Sequence, residues 1–211
     1  MRLDERKESI LDFIVRDYIR TACPVSSLRV SEKRNFNLSP ASIRNIMLEL
    51  DEDRFLYQPH TSAGRAPTEN GYRYFVDNLM EERSISDGVR SDFDKIISSF
   101  RGDNLFDELA LCMAKNLKLF SGIAIKNRIF KRGLSEVLRE PEFEEQEIAI
   151  EFAEFVDDFE KNIKNDNGII VGEFGVVGYN FGDNSFLFSV GPKRMDYEKT
   201  SSTLKYLIKL L

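Results

Sequence analysis

The chain lacks several residue types that catalytic, metal-binding and secreted proteins use. Its 211 residues include no tryptophan, one histidine and two cysteines. Cys23 and Cys112 are too few for a disulfide framework or a zinc site, and we expect both to be buried as small apolar residues. His60 has no serine or cysteine nucleophile motif around it. From the sequence we therefore predict that the chain is not an enzyme and that it has no catalytic residue, metal ligand or cofactor.

The chain also lacks an apolar run of transmembrane length, and its first twenty residues are densely charged. We therefore expect no membrane association, no signal peptide and a cytoplasmic location. Charged residues at 31% and hydrophobic residues at 42% are typical of a soluble globular chain of one or two domains.

Bulk positive charge is absent, because the formal net charge is −6. A nucleic-acid binder of this composition must therefore concentrate its basic residues on one surface. The candidate basic residues all lie within residues 1–83, and they are Arg44, Arg65 and Arg73, together with Lys33, Arg34 and Arg54.

Three amphipathic segments at the N-terminus predict a helix-turn-helix. Asp4 to Ala22 places apolar residues on one helical face, and Cys23-Pro24 ends that helix. A second short helix begins at Ser26 or Ser27 and runs to about Asn35. Ser39 is expected to cap a third helix from the N-terminal side, with Pro40 at its first position and the helix body at Ala41 to Asp53.

The third helix presents Ser42, Arg44 and Asn45 near its start, and these side chains suit the reading of base edges. Residues 58–76, QPHTSAGRAPTENGYRYFV, follow at the distance where the β-hairpin wing of a winged helix lies. We expect Gly64 to permit the hairpin turn and Arg65 to lie at the tip, which suits a narrow, negatively charged groove. A purely structural or protein-interaction role for the three helices is the alternative.

Longer motifs resemble one family. LSPASIRN and QPHTSAGRAPTENGYRYFVD resemble the N-terminal domain of the heat-inducible transcription repressor HrcA family, and GLSEVLREPEF at 133–143 and GPKRMDYEKTSSTLKYLIKLL at 191–211 resemble its closing segments. The resemblance implies repression of chaperone operons through an inverted-repeat operator on double-stranded DNA, release on heat stress, and assistance from a GroEL-type chaperonin. Together, pattern and resemblance assign DNA contacts to Ser39, Ala41, Ser42, Arg44, Asn45, His60, Thr61, Ser62 and Arg65.

The resemblance also implies a shortened member. Phe120 to Ile125 runs almost directly into residues 126–130, where family members have most of a GAF-like core and an inserted dimerising domain. The predicted fold class is α+β. It comprises a winged-helix DNA-binding domain at 1–83, a helical linker with possible dimerisation helices at 84–120, and a reduced GAF-like α/β domain at 121–211.

The C-terminal two thirds mix helices and strands. We predict a helix from Thr68 to about Glu82, a strand from Gly122 to Phe130, a long helix from Glu144 to Lys164, an antiparallel strand pair around the turn at 182–184, and a final helix from Tyr197 or Glu198. The glycine-rich stretch at 172–182 is interpreted as a hairpin, because no helix follows it as a phosphate loop requires.

One apolar stripe in the linker has two interpretations. Phe106, Leu109, Met113, Leu117 and Phe120 recur at helical spacing, and such a stripe is either intramolecular core or a seam between subunits. Because an inverted repeat is bound by two copies, we predict a homodimer formed by this stripe and the C-terminal part. The alternative functions are a winged-helix regulator that senses a small ligand through its C-terminal domain, and an interaction protein that retains the fold without binding DNA.

Overall fold

The computed structural model describes residues 2–33, 36–161 and 167–211. The chain divides into two compact units, Met1–Met80 and Glu81–Leu211. The first unit is mostly helical and the second contains an antiparallel sheet. The predicted α+β class is confirmed at this level.

The N-terminal unit begins with three helices and a small β-hairpin. Its elements are α1 (Glu5–Thr21), α2 (Ser27–Lys33), α3 (Pro40–Glu52), β1 (Leu56–Tyr57), β2 (Ala66–Pro67), α4 (Glu69–Tyr74) and a π-helical turn (Phe75–Leu79). Local signals place the ends of α1. The Asp4 carboxylate accepts hydrogen bonds from the N–H groups of Arg6 and Lys7, and Ala22 takes a left-handed conformation with φ 53° just before Cys23-Pro24.

The predicted spans of these elements are confirmed with small shifts. The helix predicted from Thr68 to about Glu82 ends earlier. Helix α4 continues into the π-helical turn, which ends at Leu79, and Met80 has extended backbone angles. The predicted end of the second helix, at Arg34 and Asn35, lies outside the described residues.

The apolar face of α1 supplies the centre of this unit's core. Ile10, Leu11, Ile14 and Val15 are fully buried. Two polar links fix the neighbouring helices. Lys7 Nζ lies 3.1 Å from a carboxylate oxygen of Glu49 and 3.1 Å from one of Asp53 on the α3 side, and the buried Asp17 carboxylate binds Arg29 of α2 at 2.5 Å. The three helices are therefore held by both apolar packing and ion pairs.

The C-terminal unit is built around one five-stranded sheet. Its elements are α5 (Asp87–Ser99), α6 (Asp103–Leu117), β3 (Phe120–Ile125), β4 (Arg128–Arg132), α7 (Leu134–Val137), a 3₁₀ turn (Pro141–Glu144), α8 (Gln146–Lys161), β5 (Gly168–Val171), β6 (Phe174–Asn180), β7 (Ser185–Pro192) and α9 (Tyr197–Leu210). The strand order is β4-β3-β7-β6-β5, and every pairing is antiparallel. Helix α6 packs against β3 and β4, and α9 packs against β6 and β7.

One predicted strand is wrong. Gly122 to Phe130 is not a single strand, because β3 and β4 form a hairpin across Lys126 and Asn127. Lys126 has φ 53°, and its N–H donates to the carbonyl of Asn184 at 2.9 Å. The chain therefore reverses direction in the middle of the predicted strand.

The other C-terminal predictions are largely confirmed. The β6–β7 pair forms around the predicted turn, and α9 begins at Tyr197. The predicted long helix is observed as far as Lys161, and its last residues, 162–164, lie outside the described part of the chain. The glycine-rich stretch forms strand β6, as the hairpin interpretation expected.

The centre of the predicted apolar stripe is intramolecular core, while Phe106 and Leu117 are half-buried. Leu109 and Met113 are fully buried within the unit, and Phe120 is nearly so. The interpretation of Leu109 and Met113 as a subunit seam is therefore wrong, since a seam residue must be accessible in one protomer. The prediction for the cysteines is half wrong: Cys112 is buried, but Cys23 is exposed.

The two C-terminal segments of the sequence resemblance meet in space. The largely buried guanidinium of Arg194, which follows β7, binds the Glu140 carboxylate at 2.6 Å and that of Glu142 at 2.5 Å. Paired in this way, an arginine is tolerated away from solvent. The segments at 133–143 and 191–211, about fifty residues apart in sequence, therefore form one structural cluster.

Candidate nucleic-acid interface

The start of α3 is fixed by its cap. Ser39 has φ −69° and ψ 155°, and its hydroxyl accepts a hydrogen bond from the Ser42 N–H at 3.1 Å. The two serine hydroxyls also lie 3.0 Å apart. Pro40 occupies the first helical position, where a missing N–H costs nothing. The cap prediction is confirmed, and it sets where the outer face of α3 begins.

The outer face of α3 is exposed and polar near its start. Ile43, Met47 and Leu50 point inward and are buried, whereas Ala41, Arg44 and Asn45 are exposed. Neither Arg44 nor Asn45 forms a side-chain hydrogen bond or ion pair with another residue that the structure describes. Their side chains are therefore available to an external partner.

An apolar side chain extends this face. Leu48, one turn after Arg44, is 42% exposed. Sequence reasoning passed over this residue, although its position four residues beyond Arg44 places it on the same helical face. A methyl-bearing surface next to donors is the arrangement that contacts thymine in a major groove.

The tip of the hairpin is formed by polar, exposed residues. His60, Thr61 and Ser62 are exposed between β1 and β2. The Gln58 side-chain amide donates to the carbonyls of Thr61 at 3.0 Å and Ala63 at 2.9 Å, which closes the loop from within. These two hydrogen bonds of Gln58 were not predicted from the sequence, since a glutamine before a proline is not specific for such a loop.

Arg65 does not lie at the tip, and that part of the prediction is wrong. Its side chain is 11% exposed, and its Nε lies 2.8 Å from Asp51 Oδ2 on α3. Its backbone N–H and C=O exchange hydrogen bonds of 2.8 Å with Val25. Because both its charge and its backbone are used inside the unit, Arg65 ties the base of the hairpin to α3 and to the segment before α2.

Gly64 is required for a different reason from the one predicted. Its φ is not in the left-handed region. A Cβ added at Gly64 would lie 2.3 Å from the carbonyl carbon and oxygen of Val25. The glycine therefore allows a close backbone approach, and the turn conformation does not depend on it.

Of the remaining predicted basic residues, the structure describes the side chains of Arg54 and Arg73. Arg73 pairs with Glu69 on α4 at 2.8 Å. Arg54 is exposed just after α3 and has φ 64°. The Lys33 side chain and Arg34 lie outside the described residues. Among the candidates whose side chains the structure describes, Arg44 and Arg54, at the two ends of α3, are the ones without an ion pair.

Two ion pairs between helices of this unit shift the pKa values of their side chains. The Lys7 ammonium donates hydrogen bonds to the carboxylates of Glu49 and Asp53, and these raise its pKa. Burial raises the pKa of Asp17, but hydrogen bonds from Arg29 and Arg20 outweigh burial and hold it below its ordinary value. Both pairs therefore remain ionised near neutral pH.

Within residues 2–33, 36–161 and 167–211, no group of three or more histidine, cysteine, aspartate or glutamate side chains is arranged to hold a metal ion. None of the helices in the described part of the chain is both long and apolar enough to cross a membrane.

Curated relatives support the resemblance noted in the sequence. The chain is 50% identical over 95 residues to the heat-inducible transcription repressor HrcA of Desulfitobacterium hafniense, which covers 45% of this chain and 28% of that protein. It is 42% identical over 136 residues to HrcA of Symbiobacterium thermophilum, covering 61% of this chain and 39% of that protein. The resemblance to HrcA repressors is confirmed over the N-terminal portion. The matched region is less than two fifths of either relative's length.

A solved structure matches the whole fold. A crystal structure of a hypothetical protein superposes with a TM-score of 0.81 at 18% sequence identity, covering 99% of this chain and 97% of that one. At this identity the likeness shows the fold alone. No family model matches the chain.

Proposed function

We propose that this chain is a winged-helix transcriptional repressor that binds an inverted-repeat operator of heat-shock chaperone genes. The observation that supports this most directly is the 50% identity to an HrcA repressor over 95 residues. It is accompanied by an exposed helical face with an unpaired arginine and asparagine. In this proposal α3 is the recognition helix, the β1–β2 hairpin is the wing, and the C-terminal unit is a reduced GAF-like domain.

Base reading is assigned to Arg44 and Asn45. A guanidinium donates two hydrogen bonds to a guanine, and an asparagine amide pairs with an adenine in the major groove. Ser39, Ala41 and Ser42 approach the same strand near the helix start. His60, Thr61 and Ser62 contact the adjacent groove or the DNA backbone from the wing. Arg65 holds the base of the wing in place through Asp51 and Val25.

The test is a binding titration of the purified full chain. A labelled inverted-repeat duplex and a scrambled duplex are compared by fluorescence anisotropy at several salt concentrations. Arg44→Ala and Asn45→Ala should each weaken operator binding by about 1 to 3 kcal/mol and leave binding to scrambled DNA nearly unchanged. Arg73→Ala is the matched control, since its guanidinium is exposed but already paired with Glu69.

Arg65→Ala separates a phosphate contact from a structural role. Since the Arg65 guanidinium is bound to Asp51, we expect the salt dependence of binding to keep its slope while the stability of the N-terminal unit falls. A slope lowered by about one unit would instead place Arg65 on a phosphate. Equal losses on operator and scrambled DNA for Arg44→Ala would assign Arg44 to the backbone and remove it from base reading.

An inverted repeat requires two copies of the chain, so we propose a homodimer formed by the C-terminal unit. Leu109 and Met113 of the α6 stripe are not part of this surface, because they are buried within one protomer. Sedimentation of the full chain at tens of micromolar should give a dimer. A monomer that binds the operator with full affinity would contradict this arrangement.

Release on heat stress follows from marginal stability in this proposal. A GroEL-type chaperonin shifts the population toward the folded, DNA-binding form, and repression falls when other unfolded proteins occupy it. Operator binding after a brief heat step, with and without chaperonin and ATP, tests this. Equal recovery in both samples would remove the chaperonin from the mechanism.

A further inference from the structure

The C-terminal unit contains a cleft of about 570 Å³ that the proposed DNA-binding role leaves unused. Its walls are the segment 82–85 before α5, the first turns of α5, the end of β6 and the last turns of α9. A volume of this size accommodates a small organic molecule.

The cleft is positively charged although the chain as a whole is acidic. Arg90, Lys205 and Lys209 line it together with Glu82, the single carboxylate among the lining residues that the structure describes, and Arg83 contributes a further guanidinium. Arg83 forms an ion pair with Glu198, which does not line the cleft: its Nε lies 2.5 Å from Glu198 Oε2. Neither Arg90 nor Lys209 forms an ion pair with another residue in the described ranges. The lining therefore has an excess of positive charge in a protein of net charge −6.

Two tyrosine rings lie beside these cations. The Arg90 guanidinium is 5.6 Å from the centroid of the Tyr206 ring, and Lys205 Nζ is 5.8 Å from that of Tyr179. The Tyr179 hydroxyl is hydrogen-bonded to the Ser201 hydroxyl at 2.7 Å, which fixes its ring. Flat aromatic faces next to cationic groups favour a planar ligand that also carries negative charge.

Glu82 already acts as an internal anion at this site. Its carboxylate is hydrogen-bonded to the Lys205 ammonium, and this contact lowers the pKa of Glu82 and raises that of Lys205. The Glu82 side chain is 75% exposed. An exposed ion pair of this kind is weak, so a better-placed anion can replace the carboxylate.

We propose that this cleft binds a small planar organic anion, with a carboxylate or phosphate held by Arg90, Lys205 and Lys209 and its flat body against Tyr179 and Tyr206. Glu82 competes with the ligand for Lys205. The site stands on the cleft and its charges alone, and it does not depend on the chain's binding to DNA.

Calorimetric titration of the full chain tests the site with phthalate and phenyl phosphate as probes. Two control probes separate the parts of the ligand. Phthalamide has the flat aromatic ring without the negative charge, and inorganic phosphate has the negative charge without the ring. We expect saturable binding of at least one organic anion and much weaker binding of both partial probes. Tighter binding of phthalate would show that the site prefers a carboxylate, and tighter binding of phenyl phosphate would show that it prefers a phosphate. Phthalamide binding as tightly as phthalate, or no saturable binding of either organic anion at millimolar concentration, would overturn the proposal.

Charge variants with opposite expected effects sharpen the test. Arg90→Gln and Lys209→Gln should each weaken the preferred probe by about tenfold, because each removes a charge-assisted hydrogen bond. Glu82→Gln should tighten it severalfold, since the competing carboxylate is gone. Lys95→Gln and Lys115→Gln are matched controls: both lysines are exposed in the same unit but do not line the cleft. A control variant that weakens binding as much as Arg90→Gln would reduce the effect to overall charge and refute the site.

Discussion

The replacement of Gly64 by alanine is a direct test of how the β1–β2 hairpin is attached. The added Cβ would lie 2.3 Å from both the carbonyl carbon and the oxygen of Val25, and 2.7 Å from the Ser26 nitrogen. These are backbone atoms, which cannot rotate away as the end of a side chain does. The adjacent residues, Val25 and Arg65, exchange two backbone hydrogen bonds of 2.8 Å.

The expected loss follows from those two hydrogen bonds. Relief of the clash must separate the two backbone segments, so both bonds lengthen or break. At a net contribution of about 0.5 to 1.5 kcal/mol each, Gly64→Ala should destabilise the N-terminal unit by about 1 to 3 kcal/mol. That is a large fraction of a stability of the order of 5 to 15 kcal/mol.

Hydrogen exchange and denaturant unfolding measure the loss together. The amide protons of Val25 and Arg65 should exchange faster in Gly64→Ala, and unfolding of the N-terminal unit should need less guanidinium. Gly88→Ala is the matched control: no heavy atom lies within 4 Å of its added Cβ, and Gly88 is in α5. Because the backbone of Gly88 is helical, alanine can adopt it and should stabilise the protein by about 0.4 to 1 kcal/mol by restricting the unfolded chain. Unchanged exchange and unfolding in Gly64→Ala, with the expected gain in Gly88→Ala, would refute the close-approach argument.

Three further substitutions or measurements have defined outcomes. Asp17→Asn should cost about 1 to 3 kcal/mol, since it removes the buried charge and replaces one of the two oxygens that accept from Arg20 and Arg29 with an amide that donates. Because the folded-state pKa of Asp17 is lowered, its contribution is present above the ordinary value of 3.8 and is lost as the pH falls below it. Stability measured against pH should therefore decline less in Asp17→Asn than in the parent. Leu109→Asp should unfold the C-terminal unit and not produce a folded monomer, because it places a charge in the core; a folded, monomeric variant by circular dichroism and sedimentation would restore the seam interpretation. A thiol reagent should label the exposed Cys23 quickly and Cys112 only after denaturation, since burial raises the pKa of Cys112; equal labelling rates in the folded protein would contradict the burial of Cys112.

Features that depend on near neighbours in sequence were predictable. The Asp4 and Ser39 caps, Pro40 at the first turn of α3 and the stop after Ala22 each follow from side-chain or backbone chemistry within four residues. The same is true of the amphipathic face of α1, whose period alone identifies the buried side. The α3 face with Arg44 and Asn45 was found in this way.

Features that depend on distant partners were not predictable. The sequence gives no sign that Arg65 pairs with Asp51 or that Gly64 lies against Val25, because each contact needs the folded arrangement of α2, α3 and the hairpin. The β3–β4 turn was missed for a related reason. Its Lys126 adopts a left-handed conformation without the glycine that usually marks such a turn.

The charge of the N-terminal unit explains how an acidic protein can present a DNA-reading surface. Most of its described basic side chains are neutralised internally: Lys7, Arg16, Arg20, Arg29, Arg65 and Arg73 each lie within 3.1 Å of a carboxylate. These pairs hold the helices and the hairpin together and leave little diffuse positive charge. Arg44 differs, because it is exposed at the start of α3 and unpaired among the described residues. A surface of this kind attracts DNA weakly at long range, so discrimination between sequences must come from short-range contacts at α3 and the hairpin tip.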